Sequence, residues 1–100
     1  MMFLTIEATE TAVIVKFNAL EDHEDVNAYE AEFKRSAIMQ LFHYKNPELI
    51  SITMWDGHVW QLNLDGKNGG HPVTSVNLGG GDVFPTTMNE LKLLLKQLMI

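Results

Sequence analysis

Apolar and polar residues alternate along the start of the chain and predict two β-strands. From Met2 to Ala8 the apolar side chains fall on even positions, and from Thr11 to Phe17 they fall on odd positions. A period of two is typical of strands that bury one face. If Thr9 and Glu10 form the turn of a hairpin, Ile6 lies opposite Val13 and the two apolar sets share one side of the sheet.

A longer period follows and predicts a helix that ends near Tyr44, where Asn46 and Pro47 stop it. Acidic residues come early in this segment and Lys34 and Arg35 come later, as the helix dipole favours. At the helical angle of about 100° per residue, one stripe holds Val26, Tyr29, Phe33, Ala37, Leu41 and Tyr44. We expect this stripe to cover the sheet.

The sequence MWDGHVW, at positions 54–60, predicts a hairpin with a bulged loop. A two-residue turn at Asp56 and Gly57 would place Ile52 and Trp60 on opposite faces of the sheet. A three-residue loop that ends in a left-handed Gly57 instead places Ile52 opposite Trp60, so that the apolar residues share one face. This register makes Trp60 a core residue and leaves Trp55 exposed at the loop.

The last third of the chain predicts a short strand and a final helix. Glycine-rich loops at 65–72 and 79–82 flank a strand from Val73 to Leu78. Thr87 and Glu90 have the spacing of a capping box, which opens a helix from Met88 to about Met99. The order ββαβββα favours one α+β domain over residues 1–100: a mostly antiparallel five-stranded sheet with two helices packed on one face.

Composition narrows the possible partners and the location. Hydrophobic residues make up 46% and charged residues 20% of the 100 residues, which is typical of a folded globular domain. The formal charge of −6 disfavours binding to nucleic acid or to an anionic membrane surface. No apolar stretch approaches the roughly 20 residues of a membrane span, and the amino terminus lacks the basic residues of a signal peptide. We therefore expect a cytoplasmic protein.

The sequence contains no recognisable catalytic or metal-binding motif. The absence of cysteine excludes disulfides, thiol nucleophiles and cysteine-ligated zinc. The four histidines, His23, His43, His58 and His71, include no pair four residues apart, and no serine lies in a G-x-S-x-G motif. We predict no catalytic residue, no metal site and no cofactor, which favours a role other than catalysis without excluding an enzyme.

Apolar residues left over after the core is assigned point to contact with a protein. Ile38, Met39 and Phe42 project from the reverse side of the predicted helix, and further candidates are Phe3, Ile14 and Val59 on the outer sheet face and Trp55 in the hairpin loop. We therefore expect a small acidic protein-binding module that forms a homodimer or masks a basic site on another protein, as an inhibitor or immunity protein does.

The alternative is a small-molecule-binding protein or enzyme. Its pocket would lie between the sheet and the loop from Gly79 to Asp82, with His58, His71 or Tyr44 as polar groups.

Overall fold

Residues 2–19, 29–41 and 48–99 are described by a computed structural model, and they form a mixed sheet with one α-helix. The strands are β1 (Met2–Ala8), β2 (Ala12–Ala19), β3 (Tyr29–Lys34), β4 (Ile38–Leu41), β5 (Ile50–Met54), β6 (Val59–Asn63), β7 (His71–Asn77) and β8 (Asp82–Val83). The helix is α1 (Met88–Lys96), and a 3-10 turn (Arg35–Ala37) separates β3 from β4. The described helices include none long and apolar enough to cross a membrane.

The first hairpin forms as predicted, but its register is shifted by two residues. Ile6 lies opposite Val15, and Ala8 lies opposite Val13. The turn lies one residue later than expected, at Glu10 and Thr11: the N–H of Thr9 donates to the carbonyl of Ala12 at 2.9 Å, and the hydroxyl of Thr9 accepts a hydrogen bond from the backbone N–H of Ala12 at 3.0 Å. A shift of two residues preserves the faces, so the apolar sets still meet on one side.

The prediction of a long helix is wrong: residues 29–41 form β3, the 3-10 turn and β4. The residues of its apolar stripe that the structure describes lie four positions apart, a spacing that is one helical turn but also two repeats of a strand. Between them, Glu30, Glu32 and Lys34 take the alternate positions of a strand that pairs with β2. Val26 and Tyr44, the ends of the predicted stripe, lie outside the described residues.

The sheet is larger than predicted, and five of its seven strand pairs are antiparallel, as expected, while two are parallel. Its strand order is β3-β2-β1-β7-β6-β5-β4, and β8 pairs with β7. Strand β7 runs parallel to both β1 and β6, while the other pairs are antiparallel. The expected five strands and two helices are therefore replaced, in the described residues, by eight strands and one helix.

The two end strands of this sheet, β3 and β4, are consecutive in the chain. Strands β3 and β4 stand at opposite ends of the strand order, yet only the three residues Arg35–Ala37 separate them in sequence. On one side the N–H of Arg35 donates to Thr11 at 2.9 Å, and on the other the N–H of Trp55 donates to Ala37 at 2.9 Å. This segment, the corner between β3 and β4, thus bonds to the residue before β2 on one side and to the residue after β5 on the other.

Strand β7 connects the two halves of the sheet a second time, and it contains a bulge where it changes partner. It pairs with β6 at His71 and Pro72 and with β1 from Val73 onward. The register slips at Thr74, so that Val73 lies opposite Leu4 and Val76 lies opposite Ile6. Since one residue is extra, both valines point into the core, where they are at most 2% exposed.

Helix α1 closes the core and begins where the sequence predicted. The hydroxyl of Thr87 accepts a hydrogen bond from the N–H of Glu90 at 3.1 Å, and the Glu90 carboxylate accepts from the N–H of Thr86 at 2.8 Å. The capping box therefore reaches back one residue further than expected. The side chains that α1 and its C-terminal turn bury completely are Leu91, Leu95 and Leu98. The result is a single compact domain with a radius of gyration of 13.0 Å, the value typical of 100 residues.

Candidate functional site

The loop between β5 and β6 is the bulged hairpin that the sequence predicted, and it holds Trp55 in solvent. Ile52 lies opposite Trp60, and Gly57 is left-handed with φ 89°. The N–H of Met54 donates to His58 at 2.8 Å, and the N–H of Gly57 donates to Met54 at 2.9 Å. On this loop the side chain of Trp55 is 72% exposed.

Further hydrogen bonds fix the orientation of this loop. The carboxylate of Asp56 accepts from the N–H of His58 at 2.9 Å, an Asx turn inside the loop. Through its own N–H, Trp55 is bonded to Ala37, which lies in the corner between β3 and β4. The backbone of the tip is therefore constrained both within the hairpin and against the corner.

Trp60 lies on the other side of the sheet, in a cluster of aromatic rings. Its ring centroid is 5.4 Å from that of Phe17 and 6.3 Å from that of Phe33. His58 meets Trp60 edge-on at 5.7 Å, and His71 meets Phe17 edge-on at 5.6 Å. The three larger rings are half-buried and the two imidazoles are exposed, so the histidines form the rim of the cluster.

His58 and His71, two of the three polar groups proposed for a small-molecule pocket, therefore meet at one aromatic cluster. This cluster is not beside the loop from Gly79 to Asp82, where the pocket was expected. Tyr44, the third, lies outside the described residues, as do His23 and His43. No group of three histidines or carboxylates that could hold a metal ion occurs in residues 2–19, 29–41 and 48–99. The convergence was not visible in the sequence because His58 comes from the loop between β5 and β6, whereas His71 comes from the start of β7.

Two shallow grooves border the corner beside Trp55. One has a volume of about 480 Å³ and is lined by Phe33, Lys34, Ser36, Ala37 and Trp55. The other, of about 580 Å³, continues past Lys34 toward Thr11 and Ala12. Lys34, Ser36 and Trp55 are exposed, so these grooves are open surface depressions rather than enclosed cavities.

The outer face of β4, β5 and β6 carries two more of the apolar residues proposed for partner contact. Met39 is 62% exposed and Val59 is 46% exposed. Thr53 lies opposite Val59 in the register, and Gln40 lies opposite Thr53, so these side chains share one face of the sheet. Residue 39 is extra in β4, where the register slips between Ile38 and Gln40.

The other proposed contact residues do not join this face. Ile38 is only 5% exposed and belongs to the core, because β4 points it inward; the apolar side of a helix to which it was assigned does not exist. Ile14 lies on the outer face of β2, directly between Glu7 of β1 and Glu32 of β3. Phe42 and the side chain of Phe3 lie outside the described part of the chain.

Charge divides the sheet into two halves. The strands β3, β2 and β1 carry Glu7, Lys16, Glu30, Glu32 and Lys34, and the ammonium of Lys16 lies 3.9 Å from the Glu7 carboxylate. The neighbouring strands β7, β6, β5 and β4 contain no aspartate, glutamate, lysine or arginine. The sequence could have shown that these segments lack charge, but only the strand order shows that they are adjacent.

Comparison with known proteins assigns no family to the chain. It matches no family model, no curated protein and no solved structure at a significant level.

Proposed function

We propose that the protein is a small protein-binding module that acts by contact, with Trp55 at the centre of its contact surface. The observation that supports this most strongly is the combination of a 72% exposed indole ring with a loop backbone pinned by hydrogen bonds. Tryptophan is the residue type most enriched among the residues that dominate binding energy at protein interfaces. A rigid loop loses little conformational entropy on binding, so this ring is suited to anchor a partner.

The surroundings of Trp55 favour a partner that is not recognised mainly by charge. The adjoining groove contributes one charged side chain, Lys34, beside Ser36, and the strands β4, β5 and β6 contain no charged residue. Interface centres are depleted of charged residues and enriched in aromatic residues and methionine, as this surface is. The carboxylates with which an inhibitor would mask a basic site lie elsewhere, on β1 and β3, where Glu7 and Glu32 flank Ile14.

A small-molecule function has weaker support. The grooves at the corner are open, whereas ligand pockets usually enclose most of the ligand. The cluster around Trp60 is packed by its own rings, with centroids 5.4 Å to 6.3 Å apart, and leaves the two histidines at the surface. We therefore propose protein contact, in the cytoplasm, as the function.

Site-specific cross-linking tests this proposal. A photoreactive phenylalanine replaces Trp55 in one variant and, as the control, Phe84 in another, because Phe84 is an aromatic residue of similar exposure, 63%, in the segment before α1. Both variants are irradiated in lysate of the source cells, and the adducts are identified by mass spectrometry. The proposal predicts a discrete protein adduct at position 55 that position 84 does not give. Equal adducts at both positions, or none at 55, would contradict it.

A further inference from the structure

We propose that the partner is a second copy of this chain, docked through the outer face of β4, β5 and β6 next to Trp55. This inference rests on the proposed function, that the protein acts by contact, and adds the identity of the partner. It is supported by the distribution of charge, by the side chains of the face and by the position of β4 at the end of the strand order.

Charge favours this face for self-association. Two chains of formal charge −6 repel each other, so copies can associate closely only where their carboxylates stay apart. On β1 to β3 the outer face presents three carboxylates, Glu7, Glu30 and Glu32, with Lys16 and Lys34 beside them, so a twofold contact there would have to take five charged groups per copy out of water. On β4 to β6 no residue carries a charge, and the nearest carboxylate of the hairpin, Asp56, is in the loop and bonded to the N–H of His58.

The side chains of this face suit a neutral, self-complementary contact. Met39 and Val59 supply exposed apolar surface on either side of the Gln40–Thr53 pair. Gln61 is half-buried and accepts a hydrogen bond from the buried Ser51 at 2.7 Å, so its amide is already oriented. Amide and hydroxyl groups that both donate and accept can meet their own copies across a twofold axis.

The end strand β4 supports the same conclusion. Proteins usually protect such a strand with charged residues, lysine above all, or with proline, because an unprotected strand invites contact with another chain. The sequence of β4, Ile38–Leu41, has none of these, and Met39 is 62% exposed in its bulge. Met39 is therefore the exposed apolar side chain of this end strand that the second copy would cover.

The size of the face sets the expected affinity. Three strands of about five residues span roughly 15 Å by 17 Å, or about 250 Å², which is well below the roughly 800 Å² per partner of a stable complex even after Trp55 is added. We therefore expect a weak dimer that forms at tens to hundreds of micromolar. Sedimentation equilibrium from about 1 µM to about 500 µM covers this range.

The test compares single substitutions that place a carboxylate on or off the face. Met39→Glu and Val59→Glu bring like charges together across the twofold axis and should raise the dissociation constant at least about tenfold. Leu93→Glu, at a residue of α1 that is 62% exposed, adds the same charge elsewhere and should leave the constant within about threefold. Val59→Thr keeps the side-chain shape and adds no charge, so it should also leave the dissociation constant within about threefold. Circular dichroism confirms that each variant is folded.

Two results would overturn the inference. One is a wild-type chain that stays monomeric up to about 500 µM; the other is an equal loss of dimer in Leu93→Glu and the two face variants. If the chain is monomeric while position 55 still cross-links to a different protein, the second copy is wrong and the proposed function stands. If the chain is monomeric and position 55 gives no cross-link to any protein, both the second copy and the proposed function are wrong.

Discussion

The side chain of Arg35 joins the corner of the sheet to the end of helix α1. Its Nε donates a hydrogen bond of 3.0 Å to the carbonyl oxygen of Leu98, 63 residues away in sequence. The remaining nitrogens donate to the carbonyls of Gln97 and Thr9. A guanidinium at this position satisfies carbonyls at the C-terminal end of the helix and lies at the negative end of its dipole. One residue thus connects the β1–β2 loop, the corner between β3 and β4, and the helix.

Replacement of Arg35 by methionine should lower the free energy of unfolding by about 2 kcal/mol, because it removes charge-assisted hydrogen bonds to three carbonyls. Urea denaturation followed by circular dichroism measures the loss. Lys34→Met is the control, since Lys34 is exposed and adjacent in sequence. Equal losses in the two variants would show that Arg35 does not have this connecting role.

Gly70 is tightly enclosed, and its replacement by alanine should cost about 2 kcal/mol or more. A Cβ atom there would lie 2.6 Å from Cγ of Asn63 and 2.8 Å from Cδ2 of Leu49. Asn63 cannot move freely, because it is 2% exposed, donates to Lys67 at 2.6 Å and accepts from Gly66 at 2.8 Å.

The matched control for Gly70→Ala is Gly80→Ala. A Cβ atom at Gly80 would have no neighbour within 4 Å, and its φ is not left-handed, so stability should change by less than about 0.5 kcal/mol. Thermal unfolding of both variants checks the difference. Similar midpoints would contradict the close packing of Asn63 and Leu49 around residue 70.

Leu95 and Leu93 lie on opposite faces of α1 and should respond very differently to truncation. Leu95 is fully buried, so Leu95→Ala should cost about 3 kcal/mol through lost burial and a residual cavity. Leu93 is 62% exposed, and Leu93→Ala should change stability by less than about 0.5 kcal/mol. Denaturant midpoints measured for the pair test which face of the helix closes the core. A larger loss at Leu93 would reverse the assignment.

The two tryptophans should be distinguishable by fluorescence. In Trp60→Phe only the exposed Trp55 emits, so emission should be shifted to the red and readily quenched by acrylamide. In Trp55→Phe only the half-buried Trp60 emits, among Phe17, Phe33 and His58, and emission should be bluer and quenched less. Identical spectra and quenching would contradict the bulged hairpin, whose register places the two rings in different environments.

The sequence predicted correctly those elements that are specified by a few neighbouring residues at a turn or a helix end. Gly57 with its flanking alternation specified the bulged hairpin, and Thr87 with Glu90 specified the start of the helix. The long helix was predicted wrongly because Phe33, Ala37 and the other residues of its stripe are spaced by four, which fits either period. The alternating Glu30, Glu32 and Lys34 were the signal for a strand.

What could not be predicted depends on contacts between distant segments. The parallel pairing of β7 with β1 and β6, and the corner that links β3 to β4, follow from how the chain returns on itself. Only that topology brings His58 and His71 to one aromatic cluster and places the strands without charge side by side. The apolar contact face was therefore assigned in part to a helix, and Ile38 was included although the structure buries it.

A dilution series of amide NMR spectra shows whether a second copy binds the neutral outer face of β4 to β6. If it does, the signals of Met39, Thr53 and Val59 shift progressively between about 10 µM and about 500 µM, while those of Glu7 and Ile14 on β1 and β2 stay constant. Spectra that do not change with concentration, or shifts confined to β1 and β2, would contradict it.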